Sequence, residues 1–272
     1  MVDGLVQIDD GALEVRDSGL GEPVVFIQTA LATEELVPLG EQPCIRERFR
    51  VIHILRRGYG LSSTTRQCPS VEGDAADVVA VLASLGIPRA HFVGASYSAA
   101  VALAVAARHP NVVQTLTLLE PPPVGVADAV AFSDICEELI RLADDAGATA
   151  VVNALMTRLD GPEWRAAAER QQPGSASQMD RDAAAFVTSD LPALLRWSVT
   201  GVDVVHVTAP VLLVGGSDTQ EWFAAMRSAL GRVLPDVRET VIPEAGHLLA
   251  VSHPQAVAPP MAAHLSDHPI GA

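Results

Sequence analysis

Residues 92–107 read FVGASYSAAVALAVAA, sixteen residues without a charge, cut by Gly94, Ser96 and Ser98 on alternate positions. HFVGA (91–95) has the unbroken apolar character of a strand buried on both faces, and AAVALAVAARH (99–109) that of a buried helix. The three small residues mark the junction. Either they only let two backbones pass closely, or the turn exists to present a serine.

The flanking sequence continues the alternation. LVQID (5–9) and ALEVRD (12–17) predict a short antiparallel pair around Asp10-Gly11, and VVFIQ (24–28) and RVIHIL (50–55) predict buried strands. After a glycine-punctuated loop, RRGYGLSS, the run VEGDAADVVAVLASLG (71–86) places Val78, Leu82 and Leu85 on one helical face and stops at Gly86. VVQTLTLLE (112–120) is another strand. Strands and helices in this order build a parallel sheet with helices on both faces.

At Pro121-Pro122-Pro123 the rhythm breaks, and 124–205 is helical with no strand signal. It resumes with PVLLVGG (210–216), a helix over 220–231, ETVIP (239–243) and a last helix across QAVAPPMAAHL (255–265). One sheet needs strands from both sides of the helical stretch. The expected organisation is therefore a core in two parts, 1–120 and 207–272, with a helical cap inserted at 121–206. The tail SDHPIGA (266–272) is expected to fray.

Composition narrows the chemistry. At 272 residues and 49% hydrophobic the chain can bury one large core. Cys44, Cys68 and Cys136 are an odd number with no C-x-x-C pair, which argues against a disulfide framework or zinc site. The net charge of −15 opposes nucleic acid and anionic membranes and favours a neutral or apolar small molecule as partner; a homo-oligomer is left open. All eighteen basic residues are arginine, so no P-loop, Schiff-base or Ser-x-x-Lys lysine is available. With no G-x-G-x-x-G, H-E-x-x-H or EF-hand pattern, no cofactor and no metal are expected. Residues 1–19 lack the basic and apolar segments of a signal peptide, and the reading is a soluble, cytoplasmic protein.

Gly94-Ala95-Ser96-Tyr97-Ser98 resembles the G-x-S-x-G nucleophile elbow of α/β-hydrolases, with Ser98 in place of the second glycine. The resemblance extends over nearly the whole chain outside the cap. It implies the α/β-hydrolase fold: a mostly parallel central sheet, helices on both faces and an inserted helical cap. It makes Ser96 the nucleophile and puts its base in the loop after the last strand, where ETVIPEAGH offers His247 among eight histidines. The acid is expected after the strand that follows the cap. There VLLVGGSDTQEW supplies Asp218, in a turn similar to the family's G-x-x-D. Glu120 is the alternative acid, because some members carry it one strand earlier.

By the same resemblance the oxyanion hole is formed by the backbone N–H groups of Tyr97 and Ala30. Most relatives begin that second loop His-Gly, whereas here it reads Gln28-Thr29, and threonine resists the positive φ that glycine adopts. RRGYGLSS is similar to the family's R-G-x-G-x-S turn, with Leu55 where an aspartate often stands.

The activity implied is that of a serine hydrolase acting on a small, largely apolar ester, lactone or thioester. Leu31, Trp164, Phe186 and Trp197 are the expected substrate-binding residues, with Phe132, Met156 and Met179 as further candidates from the cap. A serine elbow argues against the aspartate-nucleophile branches, the haloalkane dehalogenases and epoxide hydrolases. A lyase, a C–C bond hydrolase, a natural-product cyclase and a ligand-binding receptor remain as alternatives on the same scaffold.

Overall fold

The computed structural model describes residues 3–123, 130–197 and 206–271. The chain opens with the antiparallel pair β1 (Asp3–Ile8) and β2 (Gly11–Ser18), whose turn falls at Asp9-Asp10. β3 (Glu22–Ile27), the short turns α1 (Val37–Gly40) and α2 (Pro43–Arg46), and β4 (Phe49–Ile54) follow. Then come α3 (Val71–Ser84), β5 (Ala90–Ala95), α4 (Tyr97–Arg108) and β6 (Val113–Leu119). α3 starts where Ser70 accepts a hydrogen bond from the Gly73 N–H, and it ends at Gly86, whose φ of 67° suits glycine.

Between β6 and the next strand the described chain holds only helices. These are α5 (Val130–Ala146), α6 (Ala148–Asp160), α7 (Trp164–Gln171), α8 (Ser175–Ala185) and, after a π-helical stretch at Phe186–Asp190, α9 (Leu191–Arg196). The expected helical stretch ran over 124–205; residues 124–129 and 198–205 lie outside the described residues. β7 (Val211–Gly216), α10 (Glu221–Val233), β8 (Val237–Ile242), α11 (Leu249–Ser252) and α12 (Pro254–Asp267) complete the chain.

The eight strands form one sheet in the order β1-β2-β4-β3-β5-β6-β7-β8. Only the pairs made by β2 are antiparallel; β4 through β8 run parallel. One apolar cluster packs α3 and α4 on one face, and a second packs α11 and α12 on the other. The parallel strands therefore point their carboxyl ends the same way, and the loops leaving β3, β5, β6, β7 and β8 meet at one edge.

The expected fraying of the tail is not what the structure shows. α12 runs to Asp267, Ile270 N–H donates to Glu22 Oε1 at 2.9 Å, and Gln114 Nε2 donates to the carbonyls of His268 and Pro269. Backbone groups paired to the sheet's own side chains hold the segment down.

Candidate active site

Ser96 occupies the turn between β5 and α4 with φ 48° and ψ −119°, a conformation costly for a residue with a Cβ. The turn closes because its neighbours are small. A Cβ on Gly94 would sit 2.3 Å from the Ser98 carbonyl oxygen, so only glycine fits there. Ser98, standing where the family pattern has glycine, does more than fit. Its hydroxyl accepts from the Ala95 N–H at 2.9 Å and donates to the Ala95 carbonyl at 3.0 Å, tying strand to helix across the turn.

All four non-glycine residues with positive φ among the described residues lie on loops at this edge: Leu31, Ser96, Glu120 and Glu244. Such strain persists only where surrounding contacts over-determine it. At Glu120 those contacts are plain. The side chain is buried; Oε1 accepts from the Gly216 N–H at 2.9 Å, and Oε2 from the Thr219 hydroxyl at 2.6 Å. Arg227 lies 3.3 Å from Oε1 and also pairs with Glu239. Gly215 makes room for this cluster, since a Cβ there would fall 2.0 Å from Arg227 Nη1 and 2.7 Å from Glu120 Oε1.

His247, buried in the loop after β8, has Nδ1 3.6 Å from Glu120 Oε2. That is just beyond hydrogen-bond reach, and Nδ1 makes no hydrogen bond among the described residues. The Phe223 ring stacks on the imidazole with centroids 4.1 Å apart. Of the other histidines, His91 and His264 are buried and His53 is half-buried; desolvation pushes His53 and His264 down to about 4 and lowers His91.

Asp218, which the spacing argument favoured as the acid, makes no contact with His247, and Glu120 lies against it. Asp218 is exposed; its carboxylate accepts from Ser217 Oγ at 2.8 Å, and its N–H donates to the Ala245 carbonyl. Ser217 Oγ in turn accepts from the Glu244 N–H. The turn after β7 thus braces the histidine loop through its backbone while its carboxylate faces water. The carboxylate against His247 is Glu120.

The loop after β3 is built without the family's His-Gly. Positive φ falls on Leu31 (61°) and not on Thr29, so threonine is accommodated. Thr29 Oγ1 donates to the Ala95 carbonyl at 2.7 Å, pinning the loop to the elbow strand. Gln28 Oε1 accepts from the Arg56 N–H, and Arg56 Nε donates to the Gln28 carbonyl at 2.9 Å. The N–H groups of Ala30 and Tyr97 make no hydrogen bond among the described residues, and Tyr97 is the first residue of α4, where the helix has no acceptor for it.

Arg56 also ties core to insertion. Its buried guanidinium donates to Asp74 on α3 at 2.8 Å and pairs with both oxygens of Asp190, at the end of the π-helical stretch, at 2.9 Å. The Tyr97 ring covers it at 4.1 Å and the Tyr97 hydroxyl donates to Asp74. Tyr59 donates to Asp190 and accepts from the Leu31 N–H at 3.2 Å, so one ion cluster fixes both the insertion and the loop after β3.

Ser96, His247, Thr29 and Ala30 open on one cavity. Side chains from α5, α6, α8 and α9 line its far side, among them Phe132, Met156 and Met179. No arginine lines it, and no group of three or more His, Cys, Asp or Glu side chains among the described residues is arranged to hold a metal.

The pattern of the alpha/beta hydrolase family matches residues 31–259. The chain belongs to that family. Over 262 residues, 92% of this chain and 90% of the other, it is 25% identical to a 2-(acetamidomethylene)succinate hydrolase of Mesorhizobium japonicum. The enol-lactonase of Burkholderia xenovorans LB400 has the same fold, with a TM-score of 0.77 at 18% identity over 96% of this chain and 99% of that one. So does a thermophilic esterase of Thermogutta terrifontis, with a TM-score of 0.80 at 20% identity over 97% and 99%.

Within this hydrolase fold the structure separates the expected substrate-binding residues. Leu31 and Phe186 line the cavity. Trp164 and Trp197 are buried but do not; Trp164 carries the Arg165 guanidinium 4.5 Å above its ring, inside the helical insertion. Sequence reasoning missed Glu35 and Phe223 at the cavity. Nothing in the local pattern marks either, because each is a single residue brought in by loop or helix packing. Among the described residues no helix is long and apolar enough to cross a membrane.

Proposed function

We propose that this member of the family is a serine hydrolase acting on a small, neutral, largely apolar ester, lactone or thioester. The observation that carries the reading is the strained Ser96 turn opening on the same apolar cavity as His247, whose Nδ1 lies 3.6 Å from the buried Glu120. His247 takes the Ser96 proton as Oγ attacks the substrate carbonyl, and returns it to the leaving group. Glu120 holds the ring and stabilises the imidazolium while it exists. The Ala30 and Tyr97 amides receive the oxyanion, each worth roughly 10²–10³ in rate. Water then repeats the sequence on the acyl-enzyme.

The helical insertion acts as the cap that shapes the substrate. With no arginine in the lining, a carboxylate substrate finds no guanidinium there, so the succinate named for the Mesorhizobium relative is not carried over. The test is intact mass after a fluorophosphonate, with turnover of p-nitrophenyl esters. One adduct on the wild type, none on Ser96→Ala or His247→Ala, and a loss of roughly four to six orders of magnitude in kcat are expected. An unlabelled, folded wild type would overturn the reading.

A further inference from the structure

The cavity holds one ionisable side chain that the steps above leave unused. Glu35, in the loop between β3 and α1, is 5% exposed and lines the cavity with Ser96 and His247. Among the described residues its carboxyl makes no hydrogen bond and no ion pair; the one charge that acts on it is that of His247. Burial pushes the group up to about 7, so its neutral form is the one the site favours near and below neutrality. A neutral carboxyl carries an O–H donor, and no hydrogen bond to a lining side chain takes it up among the described residues. Thr29 Oγ1 is engaged with Ala95, and the other lining side chains are apolar apart from Ser96, His247 and the Cys136 thiol. An unmet buried donor is costly unless a ligand supplies its partner.

We propose that Glu35 is the specificity-determining residue of this cavity, donating a hydrogen bond to one uncharged acceptor on the substrate: a ketone, amide or ether oxygen distinct from the scissile carbonyl. The assignment rests on the serine-hydrolase reading. It commits the substrate to an apolar body with a single second polar point. A substrate carboxylate would be repelled when Glu35 ionises and meets no guanidinium in the lining. An ammonium would force the carboxyl to ionise where no other donor stabilises it.

The experiment compares p-nitrophenyl alkanoates of one chain length with analogues in which a single CH₂, at successive positions, is replaced by C=O or O. The readout is the ratio of kcat/KM, substituted over plain, in which the contributions of Ser96 and His247 cancel. The wild type is expected to favour the substituted ester at one position by about tenfold to a hundredfold. Glu35→Gln, which keeps a donor, retains the preference, and Glu35→Leu brings the ratio near one. The wild-type preference fades as pH rises through about 7, while that of Glu35→Gln is flat. A ratio unmoved by Glu35→Leu at every position, with turnover still dependent on Ser96, overturns the role of Glu35 alone. A wild type that neither hydrolyses esters nor labels at Ser96 overturns the hydrolase reading and this one with it.

Discussion

Exchange of the two carboxylates that the sequence offered as acid is the sharpest perturbation. Glu120→Gln keeps the side chain's shape and an oxygen for the Gly216 N–H, but it removes the charge 3.6 Å from His247 Nδ1. Without that charge the imidazolium formed during acylation is no longer compensated and the ring tautomer is no longer imposed. Losses on removing a triad acid run to about 10³–10⁴ in kcat, or roughly 4–5.5 kcal/mol. Stability should fall less, by about 1–3 kcal/mol, because Arg227 keeps its 2.8 Å contact with Glu239 and is not left wholly unpaired. Asp218→Asn should change kcat by less than about threefold and stability by no more than about 0.5 kcal/mol, since the carboxylate is exposed and its backbone bond to Ala245 survives. Steady-state hydrolysis of p-nitrophenyl butyrate beside urea unfolding of each variant measures both. A thousandfold loss in Asp218→Asn with near-normal Glu120→Gln would refute the assignment of the acid.

Three further outcomes follow from the same contacts. Ser96→Gly should abolish labelling yet raise stability by about 1 kcal/mol over Ser96→Ala, since glycine accepts φ 48° without strain; equal urea midpoints would contradict that strain. Asp190→Ala strands the buried Arg56 guanidinium on one side and should cost about 3–5 kcal/mol in chemical denaturation; a variant as stable as wild type would deny the cluster its role in joining insertion to core. Glu35 ionises near the ordinary glutamate value of 4.5 when unfolded and at about 7 when folded, so the folded state binds the proton more tightly. Its destabilising effect is absent below about pH 4.5, grows as pH rises to about 7, and is constant above. Glu35→Leu should therefore gain on the wild type by a few kcal/mol between pH 4 and pH 8, and unfolding midpoints whose difference does not change with pH would count against the buried carboxyl.

The sheet was legible because its signal is local. Continuous apolar runs such as VVFIQ and HFVGA, glycine stops such as Gly86, and the strand–turn–helix around Ser96 each specify their element from a few residues. The interruption by Gly94 and Ser98 is explained by backbone crowding at 94 and by the paired hydrogen bonds of 98 to Ala95. Spacing also placed His247 after the last strand, since only the order of elements was needed.

Where two residues competed for one place, local pattern had no means to choose. Glu120 and Asp218 both follow parallel strands, and both strand ends reach the same edge. The choice falls to contacts far apart in the chain. A positive φ at Glu120, the missing Cβ of Gly215 and the Arg227 guanidinium from α10 converge to bury one carboxylate beside His247, while the turn at Asp218 faces outward. The same holds for the cavity. Trp164 and Phe186 are equally apolar, yet helix packing turns one into the insertion's own core and the other toward Ser96. The sequence by itself determined the fold and the places of Ser96 and His247 in it, because each depends on order and local backbone preference. Which carboxylate lies against His247, the cavity wall and the burial of Glu35 were decided only in three dimensions, where burial and charge act between residues that the sequence keeps far apart.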